Sequence, residues 1–405
     1  MKFKICMYNV WFGDCFKIES DNAKLIVDFG IHRNSYINNC CKKIYSRNDA
    51  HQVISKYMLS LNSPDLLITH YHEDHISGLK YMKMHKSKFS LIPSKKLFRK
   101  VYIPDIWNAT HASKIVAIHL LRDLLDKSYL SSGKRSMSLL DLVEFLCNDV
   151  KNVILIKRGT VFEEEKYIAL WPDPNMVSAE AVSLLNNLQL PTVFFNELLK
   201  ISRKLCDLIN GFNDLKNNSN FVQDILGDIR SRMIILSEYK DVIDEIKKIT
   251  TIDDELDSNY LNSFGNRISI VFHNLNNDIE NNILFTGDLE AKYLEKIKNN
   301  YDGKYKMHDT YNVIKIPHHG TKGMNMEHYF DFTPFHPKTY LIPNGMCGKN
   351  WKIYSKYCND IKDNKIKVYC SNSNFCEMNT KKIFSKCKCK DKVIVFPNIS
   401  KEVKY

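Results

Sequence analysis

Leu66-Leu67-Ile68-Thr69-His70-Tyr71-His72-Glu73-Asp74-His75-Ile76-Ser77-Gly78 is the stretch on which the reading of this chain turns. Leu66 to Thr69 is an apolar run that follows Pro64 and reads as a strand. It leads directly into three His and one Asp within six positions, His70 to His75. A loop leaving a strand can aim such side chains at one place. Imidazole nitrogen and carboxylate oxygen are the ligand types that suit Zn and its borderline neighbours. The plainer alternative is a solvated polar loop.

One such cluster supplies ligands to two ions and closes neither shell, so other strand ends should contribute. Ile283-Leu284-Phe285-Thr286-Gly287-Asp288 is an apolar strand ending in a carboxylate, and Val313-Ile314-Lys315-Ile316-Pro317-His318-His319-Gly320-Thr321 is another ending in paired imidazoles. Each is weak alone, since T-G-D is a common turn. Together, and in this order, they make a pattern.

The chain has 405 residues, 44% hydrophobic and 26% charged, with net charge +12. That length allows two to three domains, or one large domain carrying an insertion. The composition excludes disorder and collagen-like repeats. The N-terminal Met1 to Phe16 lacks the apolar core of a signal peptide, and no window approaches the ~20 apolar residues of a membrane span. A cytoplasmic location and no membrane partner are expected. In that setting the scattered Cys6, Cys15, Cys147 and Cys206 read as buried thiols.

Along the chain, short strands at Phe3 to Tyr8, Cys15 to Ile18 and Leu25 to Val27 precede the motif, and strands alternate with helical spacing at 115–127 and 138–147. From 176 to 265 apolar residues recur at helix spacing, with 9 basic and 14 acidic residues. This segment reads as an acidic helical insertion between a first half, 1–175, and a second half, 266–405. Strands are expected again at Ile268 to Phe272, Ile283 to Thr286, Val313 to Ile316 and Thr339 to Ile342.

On these motifs the chain resembles the metallo-β-lactamase fold superfamily, and most closely the hydrolase domain of the ComEC-type competence proteins. That branch shows a Gly-Asp-Ser turn, an I-D-x-G strand, H-x-H-x-D-H-x-G-G, F-T-G-D and V-P-H-H-G-S. This sequence has Gly13-Asp14-Cys15, Ile26-Val27-Asp28-Phe29-Gly30, His70 to Gly78, Phe285 to Asp288 and Ile316 to Thr321. The resemblance implies an α/β fold, an αββα sandwich interrupted by the helical insertion. It implies two divalent metal ions, Zn or Mn. His70 and His72 would hold one, Asp74, His75 and a member of the His318/His319 pair the other, Asp288 would bridge, and Asp28 would orient a His ligand. Asp74 and Asp288 would thereby serve catalysis. The implied ions would supply a water of lowered pKa for attack on an ester, amide or phosphodiester.

Three departures stand out. A third His for the first ion does not announce itself; His111 is the candidate, and His119, in a helical pattern, reads as structural. Leu79 replaces the second Gly of the first motif. The stretch Gly345 to Tyr354 keeps Asn350 but lacks the His and Pro of the family element. The spacing of Cys370, Cys376, Cys387 and Cys389 admits a structural zinc site, free thiols on strands, or a disulfide.

Fold does not give substrate. Lys80 to Lys100 holds eight Lys and Arg and no acid, and 338–405 holds 15 basic and 5 acidic residues. These blocks point to a phosphate backbone, with Lys95, Lys96, Arg99 and Lys100 as nucleic-acid contacts. The leading expectation is therefore a metal-dependent phosphodiesterase or nuclease acting on DNA or RNA, and the resemblance alone implies that it is the nuclease component of a multi-protein, defence-type system. The alternatives are a small-molecule ester or phosphoester hydrolase with the insertion as lid, and a non-catalytic regulatory subunit whose insertion docks a partner protein.

Overall fold

A computed structural model describes residues 3–8, 10, 12–20, 23–31, 47–61, 63–86, 96–125, 137–215, 218–252, 260–321, 329–344, 353–370 and 403–404. Within them the chain is mixed α/β, with two seven-stranded sheets. The first sheet runs β1 (Phe3–Met7), β2 (Phe16–Ser20), β3 (Ala23–Val27), β4 (Asp65–Leu67), β5 (Phe98–Pro104), β6 (Val150–Ile156). It is antiparallel to β3 and parallel from β3 to β6. The second runs β7 (Val161–Phe162), β8 (Tyr167–Trp171), β9 (Val271–Asn274), β10 (Ile283–Phe285), β11 (Val313–Lys315), β12 (Thr339–Ile342), β13 (Lys367–Cys370). It too starts antiparallel and turns parallel from β10 onward. A short β14 (Val403–Lys404) pairs antiparallel with β1.

Strand side chains alternate between faces, and here the two faces belong to two cores. Leu25 and Val27 join a cluster shared by both sheets, while Ile26 between them joins the cluster formed with the helices. The inter-sheet core is aromatic: Phe16 meets Phe285 edge-on at 5.4 Å, and Tyr102 meets Phe162 at 5.3 Å. The second cluster draws in α1 (Arg47–Ser60), α2 (Glu73–Met84), α3 (Ala112–Leu125) and α4 (Leu139–Asp149). Ser138 and Asp141 start α4 with a reciprocal capping box.

Between β8 and β9 the chain forms α5 (Pro174–Asn187), α6 (Thr192–Asn210), α7 (Phe212–Leu215), α8 (Ser219–Ser237), α9 (Lys240–Ile252) and α10 (Tyr260–Arg267). These helices are no separate body. Leu198, Ile201 and Leu205 of α6 bury in the same cluster as Ile118 and Leu121 of α3, and Arg230 of α8 pairs with Glu144 of α4. Helix α11 (Ala291–Asn300) and helix α12 (Ser355–Asp363) back the second sheet through Tyr293 on Trp171 and Tyr357 on Tyr340. No helix among the described residues is long and apolar enough to cross a membrane.

Two local readings change. The residues after His72 do not stay a loop: Glu73 and Asp74 form the first turn of α2, where acidic side chains suit the helix N-terminus. The strand expected from Ile268 begins only at Val271, after Asn266 and Arg267 end α10. The Trp171 indole donates to the Arg267 carbonyl at 2.6 Å, which fixes the end of that helix against β8.

Candidate metal centre

The chemistry-bearing residues follow the carboxyl ends of parallel strands, the place where open α/β sheets collect ligands. Asp28 follows β3, His70 to His75 follow β4, Asp288 follows β10, and His318 and His319 follow β11. Backbone hydrogen bonds stitch these loops together: Asp14 N–H donates to Asp74 O at 2.9 Å, Phe29 N–H to His75 O at 2.8 Å and Gly30 N–H to Asp14 O at 3.0 Å. A Cβ on Gly30 would lie 2.0 Å from the Asp74 carbonyl carbon, so only glycine permits this approach.

Metal-competent atoms of Asp74, His75, Asp288 and His319 all lie within 4.8 Å of one another, which makes a buried cluster able to hold a metal ion. Asp288 Oδ2 is 3.3 Å from both His75 Nε2 and His319 Nε2, and Asp74 Oδ2 is 3.1 Å from His319 Nε2. The far nitrogens are tied back. His75 Nδ1 meets Asp28 Oδ2 at 2.8 Å, and His319 Nδ1 meets the Pro343 carbonyl at 3.0 Å. A proton on each Nδ1 leaves each Nε2 as the nitrogen turned toward the carboxylates.

The paired imidazoles stand differently: His319 is 2% exposed and belongs to the cluster, while His318 has Nδ1 3.9 Å from Asp288 Oδ2 and its Nε2 buried, as those of His70 and His72 are. Both carry left-handed backbones, φ 49° and 54°, which cost strain in a residue with a Cβ and turn the two rings out of the strand.

Asp28 is itself left-handed at φ 56° and accepts from Thr69 N–H and Thr69 Oγ1, both at 2.7 Å, besides facing His75. The same aspartate thus sets the start of the motif loop and the orientation of one imidazole.

His70 and His72 sit beside this cluster, with ring centroids 4.6 Å apart and His70 4.0 Å from His75. Their Nε2 atoms are buried without a hydrogen-bond partner among the described residues. Burial, then the neighbouring His75 and His72, hold His70 neutral; burial, then Arg122, pull His72 down to about 3. Neutral imidazoles with unused nitrogen are the form a metal takes.

His75 and His319 are the opposite case. Burial disfavours their charge, yet Asp288 first and Asp28, Asp14 and Asp74 after it hold both well above the ordinary imidazole range. The carboxylates therefore demand positive charge at this point, and a divalent ion supplies it. These orphaned nitrogens and this charge deficit fit a bound metal.

Sequence reading missed three contributors. Lys315, 1% exposed, places its Nζ 2.6 Å from Asp14 Oδ2 and 2.9 Å from Asp288 Oδ1. Gly265 of α10 presses on His72, where a Cβ would lie 2.2 Å from Nε2. Arg122 donates to the Tyr71 carbonyl at 3.1 Å and its charge acts on His72. A Lys in a short strand, a Gly in a distant helix and an Arg in an amphipathic pattern carry no local mark of a site.

His111 is not brought here: it is an exposed turn residue before α3, outside the cluster. His119, read as structural, is buried between Tyr71 and Phe264, at 5.5 and 6.1 Å, its Nε2 has no hydrogen-bond partner among the described residues, and burial, then Arg122 and His72, hold it neutral.

Arg99 and Lys100 of the basic block lie at the opposite end of the sheet, and residues 87–95 of it lie outside the described residues. Asp65 opens β4 five residues before His70, or roughly 16 Å along a strand, and Arg99 is the second residue of β5. The charges among the block's described residues are engaged: Arg99 pairs with Asp65 through Nε at 2.9 Å and its terminal nitrogen at 2.6 Å, Lys83 with Glu144 at 2.9 Å and Lys86 with Asp149 at 2.8 Å. Lys96 donates to the carbonyls of Cys147 and Asn148, and Lys100 stands 4.0 Å from Asp65. Lys95, Cys376, Cys387, Cys389 and Asn350 lie outside the described residues; Cys370 is buried and its thiol donates to the Asn344 carbonyl at 3.8 Å.

Comparison with protein-family models finds no match for this chain, and comparison with curated proteins finds none either.

Proposed function

We propose that the protein is a metal-dependent hydrolase with the metallo-β-lactamase αββα architecture. The observation that carries this is the convergence of Asp74, His75, Asp288 and His319, beside two neutral imidazoles, at the carboxyl ends of strands from two stacked sheets. His70, His72, Asp74, His75, Asp288 and His319 would hold two divalent ions, Zn or Mn, with His318 at the rim. Such ions supply a water of lowered pKa and stabilise charge developing on an attacked ester or phosphoester.

The chain's own residues do the rest. Asp28 and the Pro343 carbonyl fix the tautomers of His75 and His319. Asp288 offers Oδ2 to both, and Asp74, the most exposed of the site carboxylates at 13%, is placed to exchange protons with an entering substrate. His70 and His75 are fully buried.

The favoured substrate class is a phosphodiester, supported by the chain's net charge of +12. Within the Lys80 to Lys100 block, Lys80, Lys83, Lys86 and Arg99 are paired with acids, so these described residues lend no support to a polynucleotide track. One observation favours a small phosphoester under the helical segment: α10 reaches the site itself through Gly265 on His72. Turnover of metal-loaded protein on single-stranded DNA, double-stranded DNA, RNA and a small phosphodiester, with Asp74→Ala as control, separates the two. Cleavage of a polynucleotide that falls steeply with salt supports the first; salt-insensitive turnover of the small ester alone supports the second.

A further inference from the structure

Lys315 is buried among acids. All three of its ammonium protons have acceptors: Asp14 Oδ2 at 2.6 Å, Asp288 Oδ1 at 2.9 Å and the Gly287 carbonyl at 2.7 Å. The acids around it fall into two metal-competent groups, Asp74 with His75, Asp288 and His319, and Asp14 with Asp28 and His75. His75 belongs to both, but by different nitrogens: Nε2 faces Asp288, and Nδ1 is already taken by Asp28.

Carboxylates this deeply buried need a compensating charge. A divalent ion can provide it for the first group. For the second group the ammonium is already there, against Asp14, and it reaches one oxygen of Asp288 as well. Asp288 is thereby divided, Oδ1 to Lys315 and Oδ2 to the imidazoles, 3.3 Å from each of His75 and His319.

We infer that Lys315 is a resident cation that withholds Asp14 and Asp288 Oδ1 from metal, so that the centre loads a fixed number of ions through Asp288 Oδ2. Lys315 is a positioning residue in this account, and Asp14 is a partner of the ammonium and not a metal ligand. The inference rests on the metal-dependent reading above and deepens it.

The test is metal content per chain, by elemental analysis and calorimetric titration of chelated protein with Zn²⁺ and with Mn²⁺, alongside circular dichroism to confirm folding. Lys315→Met should bind one further equivalent per chain than the wild type, because Asp14 and both Asp288 oxygens become available. Lys315→Arg should keep the wild-type count, and Lys315→Met with Asp14→Asn should return to it. A folded Lys315→Met with the wild-type count overturns the inference. Should Lys315→Met fail to fold, Asp14→Asn decides: it keeps the wild-type count here, and loss of an equivalent would make Asp14 a ligand and overturn the inference. Wild-type protein that binds no metal would instead remove the reading on which the inference stands.

Discussion

His75 Nδ1 and Asp28 Oδ2 are 2.8 Å apart with both side chains fully buried. The pair joins the end of β3 to the first turn of α2, and the same carboxylate accepts two hydrogen bonds from Thr69. Burial pushes the Asp28 carboxyl up even though His75 pulls it back. Replacing it with Asn keeps the shape but can present an N–H to Nδ1 and invert the tautomer. Asp28→Asn should lower metal affinity about 10–100-fold, the usual cost of losing such a partner, read by calorimetric titration. Unchanged affinity would mean that His75 is oriented by something else.

Gly265 sets how closely the helical segment can sit over His72. Gly265→Ala inserts a Cβ 2.2 Å from Nε2. The expected result is a fold that survives with weakened metal binding and depressed turnover. Gly227 in α8 is the matched control, since its Cβ would meet nothing within 4 Å. Gly227→Ala should raise stability by about 0.4–1 kcal/mol in urea unfolding and leave metal binding alone.

The opposite end of the sandwich has its own titrating group. Glu163 is 2% exposed and crosses from the second sheet to accept from Tyr102 of the first at 2.8 Å. Burial first, and the facing Asp65 next, push its carboxyl up to about 7 from an ordinary 4.5. The folded chain thus holds a proton that the unfolded chain has released between these values. Stability from this group is fully present below the ordinary value and is lost as pH rises through about 7. Thermal unfolding of Glu163→Gln and wild type should diverge across that window, with the variant the more stable at pH 8. Parallel curves would contradict the assignment.

Arg99 and Lys100 are tied to Asp65 at the far end of β4 and β5. Substituting both with Ala should lower thermal stability and leave turnover and its salt dependence unchanged on every substrate. A raised KM confined to polynucleotides would restore the block as a nucleic-acid track.

How much of this was legible in the sequence depends on where the information is stored. His70, His72, Asp74 and His75 declare themselves because spacing after an apolar run is local. Asp288 and the His318/His319 pair become readable by repetition of the same strand-end pattern. Lys315 does not, because its meaning lies in Asp14, three hundred residues earlier in the chain and adjacent only through the two-sheet packing. The pairing within the basic block is hidden for the same reason: Asp65, Glu144 and Asp149, the partners of Arg99, Lys83 and Lys86, come from other elements. The helices between β8 and β9 were legible as helices, but their burial on α3 and their reach to His72 depend on tertiary packing that no local pattern records.

The most direct test of the central claim is metal content measured together with hydrolysis on one preparation of wild type and Asp74→Ala, each chelated and then reloaded with Zn²⁺ or Mn²⁺. The account predicts that the wild type retains stoichiometric metal and hydrolyses a phosphodiester only when loaded, while Asp74→Ala, still folded, loses metal and turnover together. Wild-type protein that retains no stoichiometric metal, or hydrolysis that is equal in the two proteins, would contradict it.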